Sequence, residues 1–198
     1  MRISLEDYLY SPEDLTDVAL SLEALSVHDA EKYVYVLLTD TKTLFSKVAK
    51  HITGDPYNHV SLMLDYDFDN MYTFNIKNGL NRSGGFMRED RLDLKGSRYS
   101  LYRVAVDTDT HARIKTRVAD YLRDVRTTTY NHLGIINAIA GRGVFKDSDK
   151  SMICSQFVAS LLDEVGVSLF KDRAFSTLRP YEFVRSKLLK FVERGTIR

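Results

Sequence analysis

The sequence predicts an α+β domain: an antiparallel sheet packed against helices that cover mainly one face. Three observations lead there. Apolar runs of strand length dominate the first half of the chain, and stretches with helical periodicity dominate the second. Two of the runs are joined by a short polar turn, "YDFDN", which suits a hairpin. A hydrophobic fraction of 44%, with 12 Tyr and 10 Phe, supplies a core for one domain of 198 residues.

Each element has its own signal. Ser11-Pro12-Glu13-Asp14 combines an N-cap, a proline at the first helical position and acids in the first turn, which predicts a helix to about Leu25. "KYVYVLLT" (32–39) is a buried strand by its Tyr, Val and Leu content. "TKTLFSKVAKHITG" (41–54) carries Leu44, Val48 and Ile52 at helical spacing and ends in a capping Gly54. "HVSLMLD" (59–65), "MYTFNI" (71–76) and "RYSLYRVAV" (98–106) read as strands. "THARIKTRVADYLRDV" (110–125) is an amphipathic helix, and a short helix is expected around "NHLGIINAIAG". A helix containing Cys154 follows, with Ser151 as its expected N-cap. "RPYEFVRSKLLKFVERG" (179–195) reads as a final helix, with Pro180 near its start and Gly195 near its end. With no internal repeat and no Pro/Gly/Ser-rich linker, residues 1–198 are expected to form a single domain, 1–30 being a helical N-terminal extension.

Charge narrows the function classes. Lys plus Arg total 28 and Asp plus Glu 27, a net charge of +1. That balance does not call for nucleic acid or for an anionic membrane. The basic residues of 110–126 interleave with Asp120 and Asp124, as on a solvated helix face. The N-terminal "MRISLEDYLYSPEDL" lacks the apolar stretch of a signal peptide, and no run approaches the ~20 apolar residues of a membrane span. The expectation is a cytoplasmic protein with no stable membrane insertion, its oligomeric state open and its release by another system not excluded.

Most chemical motifs fail on inspection. Asp65, Asp67 and Asp69 have the spacing that opens a calcium loop, but the sixth position is Asn70 instead of Gly and the twelfth Ile76 instead of Glu. "RSGGF" (82–86) has no phosphate-loop context and reads as a plain loop. The five histidines show no metal-ligand spacing, and the single cysteine excludes a disulfide framework or a Cys-rich zinc site. No metal or cofactor is expected.

Two residues stand out. His59 opens a strand directly after the "GDPYN" turn signals, so the sheet holds it near a rim. Parity places Ser61, Met63 and Asp65 on its face, and a hairpin through "YDFDN" brings Thr73 or Asn75 opposite or diagonal to it. Cys154 lies in the first turn of its helix, where free backbone N–H groups and the helix dipole favour a thiolate and can bind an oxyanion. It also belongs to an apolar stripe with Phe157, Val158, Leu161 and Val165, so a purely structural role competes. A cysteine opening a helix together with a histidine opening a strand is the arrangement of a Cys–His hydrolase.

In this order, histidine strand before cysteine helix, the sequence resembles the circularly permuted branch of the NlpC-type papain-like hydrolases. "YNHVSLMLD" resembles the histidine strand of that family and "MYTFNIKN…GGFMRE" the strand and loop after it. "TTYNHLGII" is similar to the tyrosine-bearing segment, "MICSQFVASLLDEVGV" to the nucleophile helix, and "STLRPYEF" to the Thr/Pro-capped helix that follows. The resemblance covers about residues 32–186. It implies a papain-like fold, Cys154 as nucleophile, His59 as general base and Tyr130 as an oxyanion donor. The residue that orients the histidine stays open among Thr73, Asn75 and Glu89. The implied activity is cysteine peptidase or amidase chemistry on a peptide, amide or ester carbonyl. The alternatives are a catalytically inactive papain-like binding module, and a lipid-directed acyltransferase or thioesterase using the same pair.

Overall fold

The computed structural model describes residues 31–41, 53–76, 84–143, 148 and 150–198. The chain divides into two units, Met1–Glu31 and Lys32–Arg198, and the second carries the fold. The helix expected at 11–25 and most of that expected at 41–54 lie outside the described residues. At the end of the latter, Thr53 is helical and Gly54 adopts φ +68°, the left-handed conformation a helix-terminating glycine supplies.

Among the described residues, an antiparallel sheet of six strands is the centre of the second unit. The strands are β1 (Lys32–Asp40), β2 (His59–Met63), β3 (Met71–Asn75), β4 (Gly85–Glu89), β5 (Arg98–Val106) and β8 (Lys190–Thr196), in the spatial order β4-β3-β2-β1-β5-β8. β1 is central because nearly all of it is apolar, so it can be buried on both faces. Val34, Val36 and Leu38 point into the main core, while Leu37 points into a smaller cluster with Met63, Met71, Leu94, Leu101 and Ile197 on the other face. The turn between β2 and β3 is built on Asp67, whose side chain accepts from the Asp69 N–H at 2.9 Å and from the Asn70 amide. The acids of "DYDFDN" therefore shape a turn.

Among the described residues, two helices cover the main face. α1 (Thr108–Arg123) is capped by Asp107, whose side chain accepts from the Thr110 N–H at 2.6 Å, and it buries Ile114 and Val118. α3 (Cys154–Glu164) buries Cys154, Phe157, Val158, Leu161 and Leu162. Phe157 packs at ring-centroid distances of 5.3–5.4 Å from Phe74, Phe86 and Tyr121. That aromatic cluster joins α3 to β3, β4 and α1. A short helix, α2 (Gly134–Ala140), lies between them in the chain.

The structure corrects three sequence expectations. Ser151 does not cap α3. It lies in the two-residue strand β7 (Ser151–Met152), paired in parallel with β6 (Thr129–Tyr130), and extended Ile153 takes the cap position without a side-chain bond. "RPYEFVRSKLLKFVERG" is not one helix. Pro180–Arg185 forms a 3-10 helix held by Glu182, which accepts from the Arg179 N–H and pairs with Arg173, and Lys190–Thr196 is the edge strand β8. The outer backbone groups of β5 need hydrogen-bond partners, and β8 supplies them. Gly85–Glu89, where the sequence predicts a loop through "RSGGF" and on to Glu89, is the edge strand β4, because its backbone completes the ladder on β3.

Candidate functional site

His59 is the first residue of β2, and the chain reaches it in a fixed way. The Asn58 N–H donates to Thr39 O at 3.1 Å. The Asn58 side chain accepts from the Thr41 N–H at 3.0 Å and donates to Thr41 O at 3.1 Å. Asn58 thus ties the entry of β2 to the end of β1, and His59 pairs directly with Thr39.

Glu89 is the polar partner of the His59 ring. Nε2 of His59 lies 2.9 Å from Glu89 Oε2. The Ser61 hydroxyl donates to the same oxygen at 2.8 Å and lies 3.3 Å from Nε2, while Asn75 Nδ2 donates to Glu89 Oε1 at 2.6 Å. A carboxylate only accepts, so Nε2 carries its proton towards Glu89. That leaves Nδ1 facing away from Glu89, and Cys154 lies near enough to the ring to raise the imidazole. Of the three residues considered for orienting His59, Glu89 meets the ring, Asn75 meets Glu89, and Thr73 turns its hydroxyl onto Val60 O at 2.8 Å.

Electrostatics reinforce the geometry. Burial works against a charged His59, but the Glu89 carboxylate and hydrogen bonds to Cys154 and Glu89 outweigh it and raise the imidazole to about 10. Burial likewise pushes the Glu89 carboxyl up, yet the His59 charge and the bonds from His59, Asn75 and Ser61 hold it below its ordinary value. The two shifts agree in direction: both favour an ion pair. Its members are buried, His59 at 5% exposure and Glu89 at 1%, and Cys154 is 5% exposed.

Tyr130 comes to the same place along a different route. The β6–β7 pairing sets Tyr130 beside Met152, two residues before Cys154, through the Thr129 N–H to Lys150 O at 2.7 Å and the Asn131 N–H to Met152 O at 2.9 Å. Burial raises the Tyr130 phenol well above its usual value, and its electrostatic interaction with Cys154 adds to that. The ring of His132 packs edge-on against Tyr130 at 5.4 Å. Two glycines make the approach possible. A Cβ on Gly84 would meet Asn75 O at 2.4 Å and Tyr130 Cβ at 3.0 Å; one on Gly85 would meet Thr128 O and Oγ1 at 2.7 Å. The adjacent glycines of "RSGGF" are therefore the seam through which residues 128–130 dock against β3 and β4.

The sequence reading missed two contributors. Ser61 was placed on the His59 face by strand parity, but its hydroxyl was not given a partner; the parity itself was the signal. The structural use of Gly84 and Gly85 depends on a distant segment and leaves only the unexplained pair of glycines as a trace. Among the described residues, no group of three or more His, Cys, Asp or Glu side chains could hold a metal ion, and no helix is long and apolar enough to cross a membrane.

The class of site is thus a buried cysteine at a helix start, acting on the charge of a buried histidine that is paired with a glutamate, on an α+β domain with an antiparallel sheet. Comparison with models of known protein families and with curated proteins gives no match for this chain.

Proposed function

We propose that the protein is a papain-like cysteine hydrolase of the circularly permuted NlpC type, acting on an amide, peptide or ester carbonyl. The observation that carries this reading is the buried His59–Glu89 pair, 2.9 Å from Nε2 to Oε2, with a buried Cys154 near enough to raise the same imidazole. A structural cysteine needs no charged histidine beside it, and a buried ion pair is costly unless it has work to do.

In this reading His59 Nδ1 holds the proton taken from the Cys154 thiol, and the Cys154 thiolate attacks the carbonyl carbon. The Cys154 backbone N–H, free at the first position of α3, and the Tyr130 hydroxyl receive the oxyanion. His59 gives its proton to the leaving amine or alcohol, and a Cys154 thioester remains. His59 then takes a proton from water, whose oxygen attacks the thioester, releasing the carboxylic acid and restoring the sulfur. Glu89 stays a carboxylate throughout and balances the charge on His59.

The low exposure of Cys154 and His59 favours a second reading, an inactive module that keeps the pair as core. Acylation separates the two. p-Nitrophenyl acetate should give a burst of nitrophenolate and an acetyl adduct on Cys154 in the intact mass spectrum, and Cys154→Ala should abolish both. A folded protein that gives neither burst nor adduct, and whose Cys154 resists iodoacetamide, is the inactive module.

A further inference from the structure

Glu89 is held from both sides. Its Oε2 receives the Ser61 hydroxyl at 2.8 Å and its Oε1 the Asn75 amide at 2.6 Å, in addition to His59 Nε2 at 2.9 Å. Three donors and no acceptor face this carboxyl in these bonds, so protonating it would set a hydrogen against a donor. Glu89 reaches these partners from an edge strand, with β3 lying between it and β2. It stands opposite Met71 in register, so its side chain must lean along the sheet to meet Asn75 at the far end of β3. A long, rotatable side chain does not hold such a pose alone.

We propose that Ser61 and Asn75 are positioning residues that act through Glu89, clamping its carboxylate ionised and in place so that His59 keeps its proton on Nε2 and presents Nδ1 to Cys154. The proposal rests on the Cys–His reading above. The clamp divides the labour between the two residues. Ser61, fully buried two positions after His59 on the same strand, fixes the oxygen that His59 uses. Asn75, at the end of β3, fixes the other oxygen and with it the rotation of the carboxyl plane. Ser61 also approaches Nε2 at 3.3 Å, so the ring proton has a second acceptor if the carboxylate shifts. Among the described residues, the titratable groups that act on His59 are Glu89 from β4 and Cys154 from α3.

The test reads His59 itself and needs no substrate. In wild-type protein, histidine-ring nitrogen NMR should show a His59 Nε2–H in slow exchange with solvent and a ring that remains protonated well above neutral pH. Ser61→Ala and Asn75→Ala should each move the His59 titration down towards the ordinary histidine range and slow Cys154 alkylation by iodoacetamide roughly 10- to 100-fold, the scale of one hydrogen bond to a charged group. Ser61→Thr, which restores a hydroxyl, should recover both. A merely structural role would lower the melting temperature while leaving the His59 titration unmoved. If both alanine variants fold and neither shifts the titration nor the alkylation rate, the clamp is overturned. If the clamp behaves as described and p-nitrophenyl acetate still gives no adduct, the hydrolase reading falls and the positioning of His59 stands.

Discussion

Glu89 Oε2 lies 2.9 Å from His59 Nε2 although β3 separates their strands in the sheet and 30 positions separate them in the chain. The contact joins an edge strand to an inner one through side chains alone, and everything proposed for Cys154 depends on it.

Removing the charge from Glu89 should be costly and should change the pH dependence of stability. Glu89→Gln should destabilise the domain by about 3 kcal/mol in urea unfolding near pH 6, the low end for breaking a buried ion pair, because imidazole can release its proton. His59 is raised from 6.5 to about 10, so its contribution is complete below pH 6.5 and is lost as pH rises through about 10. Glu89 is lowered from 4.5, so its contribution is complete above pH 4.5 and is lost as pH falls through its depressed value. Wild-type stability should therefore peak between about pH 4.5 and 6.5 and fall on both sides. A Glu89→Gln curve with the same alkaline slope as wild type would show that the pair does not set it.

Two glycines with similar backbone angles should respond differently to alanine. Gly84 and Gly141 have φ of +70° and +65°. A Cβ at Gly141 meets nothing within 4 Å, so Gly141→Ala should cost only the left-handed strain, about 1–2 kcal/mol. A Cβ at Gly84 collides with Asn75 O, so Gly84→Ala should cost roughly 2–5 kcal/mol and displace Tyr130. Equal melting temperatures for the two variants would refute the seam.

Tyr130→Phe should leave Cys154 alkylation intact while lowering turnover of p-nitrophenyl acetate by up to roughly 100- to 1000-fold, the loss expected for an oxyanion donor. His132, whose ring only flanks Tyr130, should tolerate alanine with a far smaller effect. Turnover that survives in Tyr130→Phe and collapses in His132→Ala would reverse these roles.

Phe157 sits at the centre of the aromatic cluster under α3 and is fully buried. Phe157→Ala should cost about 3–5 kcal/mol of stability by chemical denaturation. A loss below about 1 kcal/mol would mean that the cluster repacks and does not anchor the helix carrying Cys154.

What the sequence determined is local. The apolar content of 32–39, the turn chemistry of "YDFDN", the amphipathic periodicity of 110–125 and the stripe of Phe157, Val158 and Leu161 each act over a few residues, so β1, the β2–β3 hairpin, α1 and α3 were readable one by one. So were His59 and Cys154 as residues that open their elements. What only the tertiary structure decided is which distant groups meet. "LLKFVERG" has enough apolar spacing for a helix, but the open edge of β5 draws it into β8. Thr73, Asn75 and Glu89 share the right parity, and strand order together with the reach of the Glu89 side chain selects the partner of the ring. Ser61 and the paired glycines acquire their roles only when β4, β6 and α3 converge, because a hydrogen bond or a backbone collision depends on positions in space that no local spacing encodes.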